Sequence, residues 1–159
     1  RVTETARGPV VRRPCGTNTL RAPPLLCAAI YCASLLYRIF TGDRRFIRAV
    51  IVPAVCFAVV TVLRPLIGKQ RPYDRYGVPP VGAYKPGKGK SMPSRHTASA
   101  AASACAIAYV LPHPAVIACM ALLSAVIGSL RVLSGQHDIS DVLAALALSL
   151  VISLVGYRL

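Results

Sequence analysis

The sequence predicts an all-α protein, a polytopic transmembrane helical bundle with about five spans visible. Three observations carry that expectation. The chain of 159 residues is 55% hydrophobic, and its mean hydropathy is +0.56. It is also strongly basic, with 19 Lys and Arg against 5 Asp and Glu and a formal net charge of +14. The two residue classes are segregated: apolar residues fall in long runs and basic residues in short polar stretches between them, as in small membrane proteins with basic loops. A soluble nucleic-acid binder could carry the charge but would not be this apolar, so no nucleic-acid partner is expected. The apolar fraction excludes global disorder.

Residues 1–21 form a polar, basic N-terminal segment with Arg1, Arg7, Arg12, Arg13 and Arg21. They lack the apolar middle of a signal peptide. The chain opens on Arg1 rather than Met, so trimming of an earlier stretch is expected. Residues 22–159 read as one domain. Within it five runs carry no charge: Ala22–Tyr37, Ala49–Leu63, Thr97–Leu111, Pro114–Leu130 and Val142–Tyr157. Each is short of the roughly 20 residues that cross a bilayer. Extension by a turn at each end, with Arg and Tyr at the interface, supplies the difference. Core helices of a soluble bundle are equally apolar, but five of them here would leave too little polar surface to cover them. The third run, TASAAASACAIAYVL, is rich in small residues that let membrane helices approach closely, which places it at the bundle centre. Pro112, His113 and Pro114 make a tight turn in which His113 is solvated. Five of the six Cys (Cys27, Cys32, Cys56, Cys105 and Cys119; the sixth is Cys15) lie in apolar runs as small hydrophobes. No CxxC pair suggests zinc or redox chemistry, and no disulfide is expected.

The longest polar stretch, residues 68–95, is rich in Pro and Gly and carries Lys69, Arg71, Arg75, Lys85, Lys88, Lys90 and Arg95. It reads either as a basic cytoplasmic loop or as an anion-binding lid at a membrane surface. A loop this long in so small a protein is usually functional. Three clusters beside the apolar runs favour the lid. Arg64 to Pro72 closes the second run, Pro93-Ser94-Arg95-His96 opens the third, and Arg131 to Asp141 joins the fourth to the fifth. Counting crossings puts all three on one membrane face, as a single site requires. Ordinary interfacial residues would scatter over both.

Their chemistry suits phosphate. Arg64, Arg71 and Arg131 offer forked donors for phosphate oxygens. Ser94 and the amides of Arg95 and His96 stand at a helix start, which attracts anions. His137 and Asp141 are four apart. If the last helix begins near Gln136 they share a face, and Asp141 would fix the His137 tautomer while the other nitrogen attacks. His96 remains as proton donor to the leaving oxygen. Asp138 would point about 100° from Asp141 on that helix, so no carboxylate cluster for a metal is expected. Arginine clamping would replace it in stabilising transition-state charge. This set allows phosphoryl transfer through a phosphohistidine.

These stretches resemble the type-2 phosphatidic acid phosphatase family, the membrane branch of the superfamily that includes vanadium haloperoxidases. That family reads K-x6-RP, PSGH and SR-x5-H-x3-D. Here Arg64-x6-Arg71-Pro72, Pro93-Ser94-Arg95-His96 and Leu130-Arg131-x5-His137-x3-Asp141 match in order and spacing. The resemblance implies that His137 is the phosphorylated nucleophile, Asp141 its orienting partner, and His96 the acid and later the base. It implies that Arg71, Arg131 and Ser94 hold phosphate, that no metal or other cofactor is needed, and that the substrate is a lipid phosphate or diphosphate reached from the bilayer. Phosphatidic acid, phosphatidylglycerol phosphate and polyprenyl diphosphate are all open. Three departures stand out. Arg64 replaces Lys, a planar fork for a point charge. Arg95 replaces Gly, leaving an amide but straining any glycine-only angle. Leu130 replaces Ser, which removes a hydroxyl. Lys69 resembles the motif Lys but has the wrong spacing to Arg71. The family usually has six spans, three of them before the loop, so either a first helix is missing here or the form is shortened.

The four Arg at 38, 44, 45 and 48 suggest a cytoplasmic link between the first two runs, which turns the site outward from a bacterial cytoplasmic membrane. The basic N-terminal segment argues the reverse. Two alternatives to hydrolysis are a lipid phosphotransferase with the same site and a non-enzymatic protein that binds anionic lipid. A vanadate-using oxidase shares the motifs, but the membrane runs argue against it.

Overall fold

The computed structural model describes residues 17–77, 80–81 and 89–158, with side chains from Ala22 onward. Arg1, Arg7, Arg12, Arg13, Cys15, Lys85 and Lys88 lie outside the described residues. Helix α1 spans Thr17–Phe40, α2 Arg45–Ile67, α3 Pro72–Tyr76, α4 Arg95–Val110, α5 Pro114–Leu133 and α6 Ile139–Arg158. Each apolar run becomes one long helix. α1 begins inside the polar N-terminal segment. Four of the five, all but α4, belong to stretches long and apolar enough to cross a membrane.

α4 is the exception, with 16 residues, about 24 Å at 1.5 Å per residue. It is embedded in protein and packs on α1, α2, α5 and α6. Its Ala98 and Ala102 join Cys56, Val60 and Ala145 in one buried cluster. Ala100 and Ile107 join Cys27, Met120 and Ile127 in a second, and Ala106 and Val110 join Ala49 in a third. Small side chains on every face explain how one helix can sit among four neighbours, as the Ala/Ser composition predicts. The same economy holds on α6, where a methyl group at Gly156 would come within 2.6 Å of Val52 Cγ2 on α2. Large apolar side chains such as Leu122, Leu143, Val151 and Leu154 face outward, as lipid contact requires.

At the end opposite the long loop, Arg38 Nη1 lies 2.7 Å from Asp43 Oδ2 in the α1–α2 link, and Tyr109 stacks on Tyr157 with centroids 4.5 Å apart. His113 is exposed just before α5, as its turn position predicts. Cys27, Cys32, Cys56, Cys105 and Cys119 are free thiols. The loop contains one element that hydrophobic periodicity does not mark. α3 is nucleated by Pro72 at its first position after extended Arg71, because proline presets the helical φ and lacks the amide that the first turn leaves unpaired.

Candidate active site

The three basic clusters converge at the loop end of the bundle. Ser94 precedes α4, and its amide donates to the Asp141 carbonyl at 3.0 Å. The His137 amide donates to the Arg131 carbonyl at 3.2 Å as the chain leaves α5. Arg64, in the last turn of α2, donates through Nη2 to the Lys90 carbonyl. Two of these ties join residues 26 and 47 positions apart and hold Lys90 and Ser94 at the helix ends.

α6 starts at Ile139, not near Gln136. His137 therefore stands in the turn before the helix, and its approach to Asp141 is made by that turn rather than by a shared helical face. Asp141 lies in the first turn, a favourable place for a carboxylate, and its Oδ2 accepts the Asp138 amide at 3.1 Å. That is the half of a capping box in which the third residue reaches back. Because Asp138 precedes the helix, the expected divergence of Asp138 and Asp141 is also corrected. Both carboxylates reach Lys69 Nζ, at 2.8 Å from Asp138 Oδ2 and 2.6 Å from Asp141 Oδ1.

His137 is 5% exposed and Asp141 fully buried. Their Nδ1···Oδ2 distance is 3.4 Å, longer than a fully formed bond; catalytic contacts often tighten only when substrate binds. Ser91 is fully buried; its hydroxyl donates to Asp141 Oδ2 and lies 3.4 Å from His137 Nδ1. Burial pushes the His137 imidazole below its ordinary value; Asp141 pulls it up, and Arg64 and Arg71 push it down again.

Around this pair stand the arginines. Arg64 is within electrostatic range of Arg95, Arg71 and Asp141, and Arg131 of Arg71. Arg71 Nη1 donates to the Tyr73 hydroxyl at 2.8 Å, Arg131 Nη1 to Gln136 Oε1 at 2.8 Å, and Arg95 lies over the Phe57 ring, 5.5 Å from its centroid. The Nε atoms of Arg64, Arg71 and Arg95 are buried without an acceptor. Buried donors without acceptors are costly, and three among clustered like charges describe a site that an anion completes. Ser94 is fully buried, its oxygen accepting from Thr97 Oγ1 at 3.0 Å. His96 is exposed on the first turn of α4. With Arg95 it borders an apolar cleft lined by Cys27, Ala28, Phe57, Ala100 and Ile127. Among the described residues, no three His, Cys, Asp or Glu gather as a metal-ligand set.

Lys69, Ser91, Gln136 and Asp138 escape the motif reading. Asp138-x-x-Asp141 carries a capping signal that could have revealed the helix start. Ser91 carries no signal in the sequence. Gly89 links it to the end of α2. At φ +58°, a Cβ there would meet the Gly68 carbonyl oxygen at 2.6 Å. Gly89→Ala is therefore expected to displace Lys90 and Ser91 and lower kcat about tenfold or more. Phosphate release and a thermal melt would check it, and kcat within twofold of the parent would refute it.

A profile of the PAP2 superfamily matches residues 45–159, a span that contains all three motifs. LpxE of Aquifex aeolicus superposes with a TM-score of 0.75 at 17% identity, covering 94% of this chain and 89% of that one. The first transmembrane PAP2-type phosphatidylglycerolphosphate phosphatase from Bacillus subtilis superposes with a TM-score of 0.67 at 21% identity, covering 93% and 78%. No curated protein matches the chain. At these identities the two structures share its helical fold, and the matched profile carries the lineage: the chain belongs to the PAP2 superfamily, as an integral membrane protein.

Proposed function

We propose that the protein hydrolyses the phosphomonoester or diphosphate of a membrane lipid through a phosphohistidine on His137, without a metal. The observation that carries this reading is a buried His–Asp pair beside arginine donors that lack an acceptor. Asp141 engages Nδ1, so Nε2 is the attacking atom. It forms an N–P bond as the lipid oxygen leaves, and His96 supplies the proton to that oxygen. His96 then takes a proton from water as the water oxygen attacks phosphorus. The N–P bond breaks, phosphate departs and His137 is restored. Arg64, Arg71, Arg131, the Ser94 hydroxyl and the amide and guanidinium of Arg95 hold the phosphoryl oxygens through the in-line transfer. The apolar cleft beside His96 supports a substrate whose tail remains lipid-like. The basic α1–α2 link at the opposite end supports a site on the outer face of a bacterial cytoplasmic membrane.

The test is phosphate release by protein in detergent with chelator, from phosphatidic acid, phosphatidylglycerol phosphate and a polyprenyl diphosphate. Release from at least one is expected; lipid binding with no release from any would leave a binding protein. The attacking His137 must be neutral, and its buried position lowers its proton affinity. The acid limb of kcat/KM, which reports the free enzyme, is therefore expected below roughly pH 6.5, the ordinary histidine value. A limb above pH 7.5 would contradict that assignment.

A further inference from the structure

Resting on the phosphatase reading, we propose that Lys69 is a positioning residue: its ammonium clamps Asp141 through one oxygen, presents the other to His137 Nδ1, and offsets the carboxylate charge so that His137 stays neutral and able to attack.

Lys69 follows Gly68, whose φ of +63° ends α2 in a left-handed turn and sends the next side chain across to the start of α6. There Nζ lies 2.6 Å from Asp141 Oδ1 and 2.8 Å from Asp138 Oδ2, and it donates to Ser140 Oγ at 2.8 Å. An ammonium has three donors, and these partners occupy all three. None is left for a phosphate oxygen, so Lys69 differs from the arginines of the site and acts through Asp141. The carboxylate is correspondingly divided. Oδ1 belongs to Lys69, while Oδ2 accepts from Ser91 and the Asp138 amide and faces His137. The Lys69 backbone also contributes, since its carbonyl accepts the Ser91 amide at 2.9 Å. One residue thus sets both groups that touch His137 Nδ1.

The charges facing His137 come from several elements. The Asp138 carboxylate before α6 is paired with Lys69, while Asp141 on α6 favours the imidazolium. Arg64 on α2 and Arg71 beyond its end oppose it. Arg131 at the end of α5 holds the His137 amide through its carbonyl, and Ser91 from the loop before α4 is neutral. Lys69 is the cation in direct contact with the carboxylate that His137 faces. Without it, the full Asp141 charge would act on the imidazole and hold a proton there. A charge at that range in a partly buried site moves a titration by about one pH unit.

The test compares the parent protein with Lys69→Met and Lys69→Arg in detergent, by kcat/KM against pH and by NMR titration of the histidine ring nitrogens. Lys69→Met is expected to raise both the acid limb and the His137 midpoint by about one unit. Its activity should fall by up to about tenfold at pH values below the parent limb, recover above pH 8 and leave KM near the parent value. Lys69→Arg, which keeps the charge, should return the midpoint towards the parent. A simple staple between α2 and α6 would lower activity equally at every pH with the midpoint unmoved, and a phosphate contact would raise KM instead; either result overturns the proposal. The NMR arm needs no turnover. A parent that releases phosphate from no lipid, with the midpoint still moved by Lys69→Met, would defeat the phosphatase reading and leave the Lys69–Asp141–His137 coupling standing.

Discussion

His137→Gln is expected to lower phosphate release by about 10³-fold or more, because covalent catalysis has no substitute once its nucleophile is gone. Gln is the chosen replacement because its amide retains hydrogen-bonding capacity towards Ser91 and Asp141, which lie 3.4 Å from the imidazole Nδ1. The fold should survive, and the loss should appear in kcat. Rapid quench with labelled substrate should trap an acid-labile, base-stable phosphoprotein in the parent and none in the variant. A variant that keeps a tenth of the parent rate, or that still takes up label, would move the nucleophile elsewhere.

Asp141→Asn should be nearly as damaging, for a different reason. Lys69 demands an acceptor, so the carboxamide must turn its oxygen towards Nζ. That turns its NH2 to the place now held by Oδ2, which accepts the Asp138 amide at 3.1 Å and faces His137 Nδ1. Two consequences follow from one rotamer. Two N–H groups then confront each other in a fully buried place, which costs about 1–3 kcal/mol of stability. The new donor also selects the His137 tautomer with its proton on Nε2, which blocks attack. A wrong tautomer of this kind costs a serine-hydrolase triad about 10⁴ in kcat, so a fall of about 10²–10⁴ is expected here, together with a lower melting temperature. Activity within tenfold of the parent would show that Asp141 does not set the tautomer.

Both predictions rest on groups that differ in how far the sequence reveals them. The helices are legible as uncharged runs, since a membrane span must satisfy its backbone internally and expose apolar side chains to lipid. The embedded position of α4 is legible in its Ala and Ser. Convergence of the motifs follows from counting crossings, but His137 meets Asp141 through the turn before α6 and not through the shared helical face that their spacing predicts. The start of α6 is misread, because a periodic pattern carries no sharp boundary and the capping of Asp138 by Asp141 decides it. α3 is missed because five residues after a proline are too few to show a period.

The residue types and order therefore determine by themselves that the chain is a membrane bundle with its basic motifs on one face, because hydrophobic burial and motif spacing are local properties of the chain. Which lysine reaches which acid is not local. Lys69 and Asp141 are 72 positions apart, and Ser91 meets Asp141 across 50. Their contact depends on a left-handed turn at Gly68 and the close approach of Gly89 to it. Only the tertiary structure decides that the opening excess of positive charge is divided. Arginine Nε donors stay without a protein acceptor, and one lysine is bound to the acid beside His137.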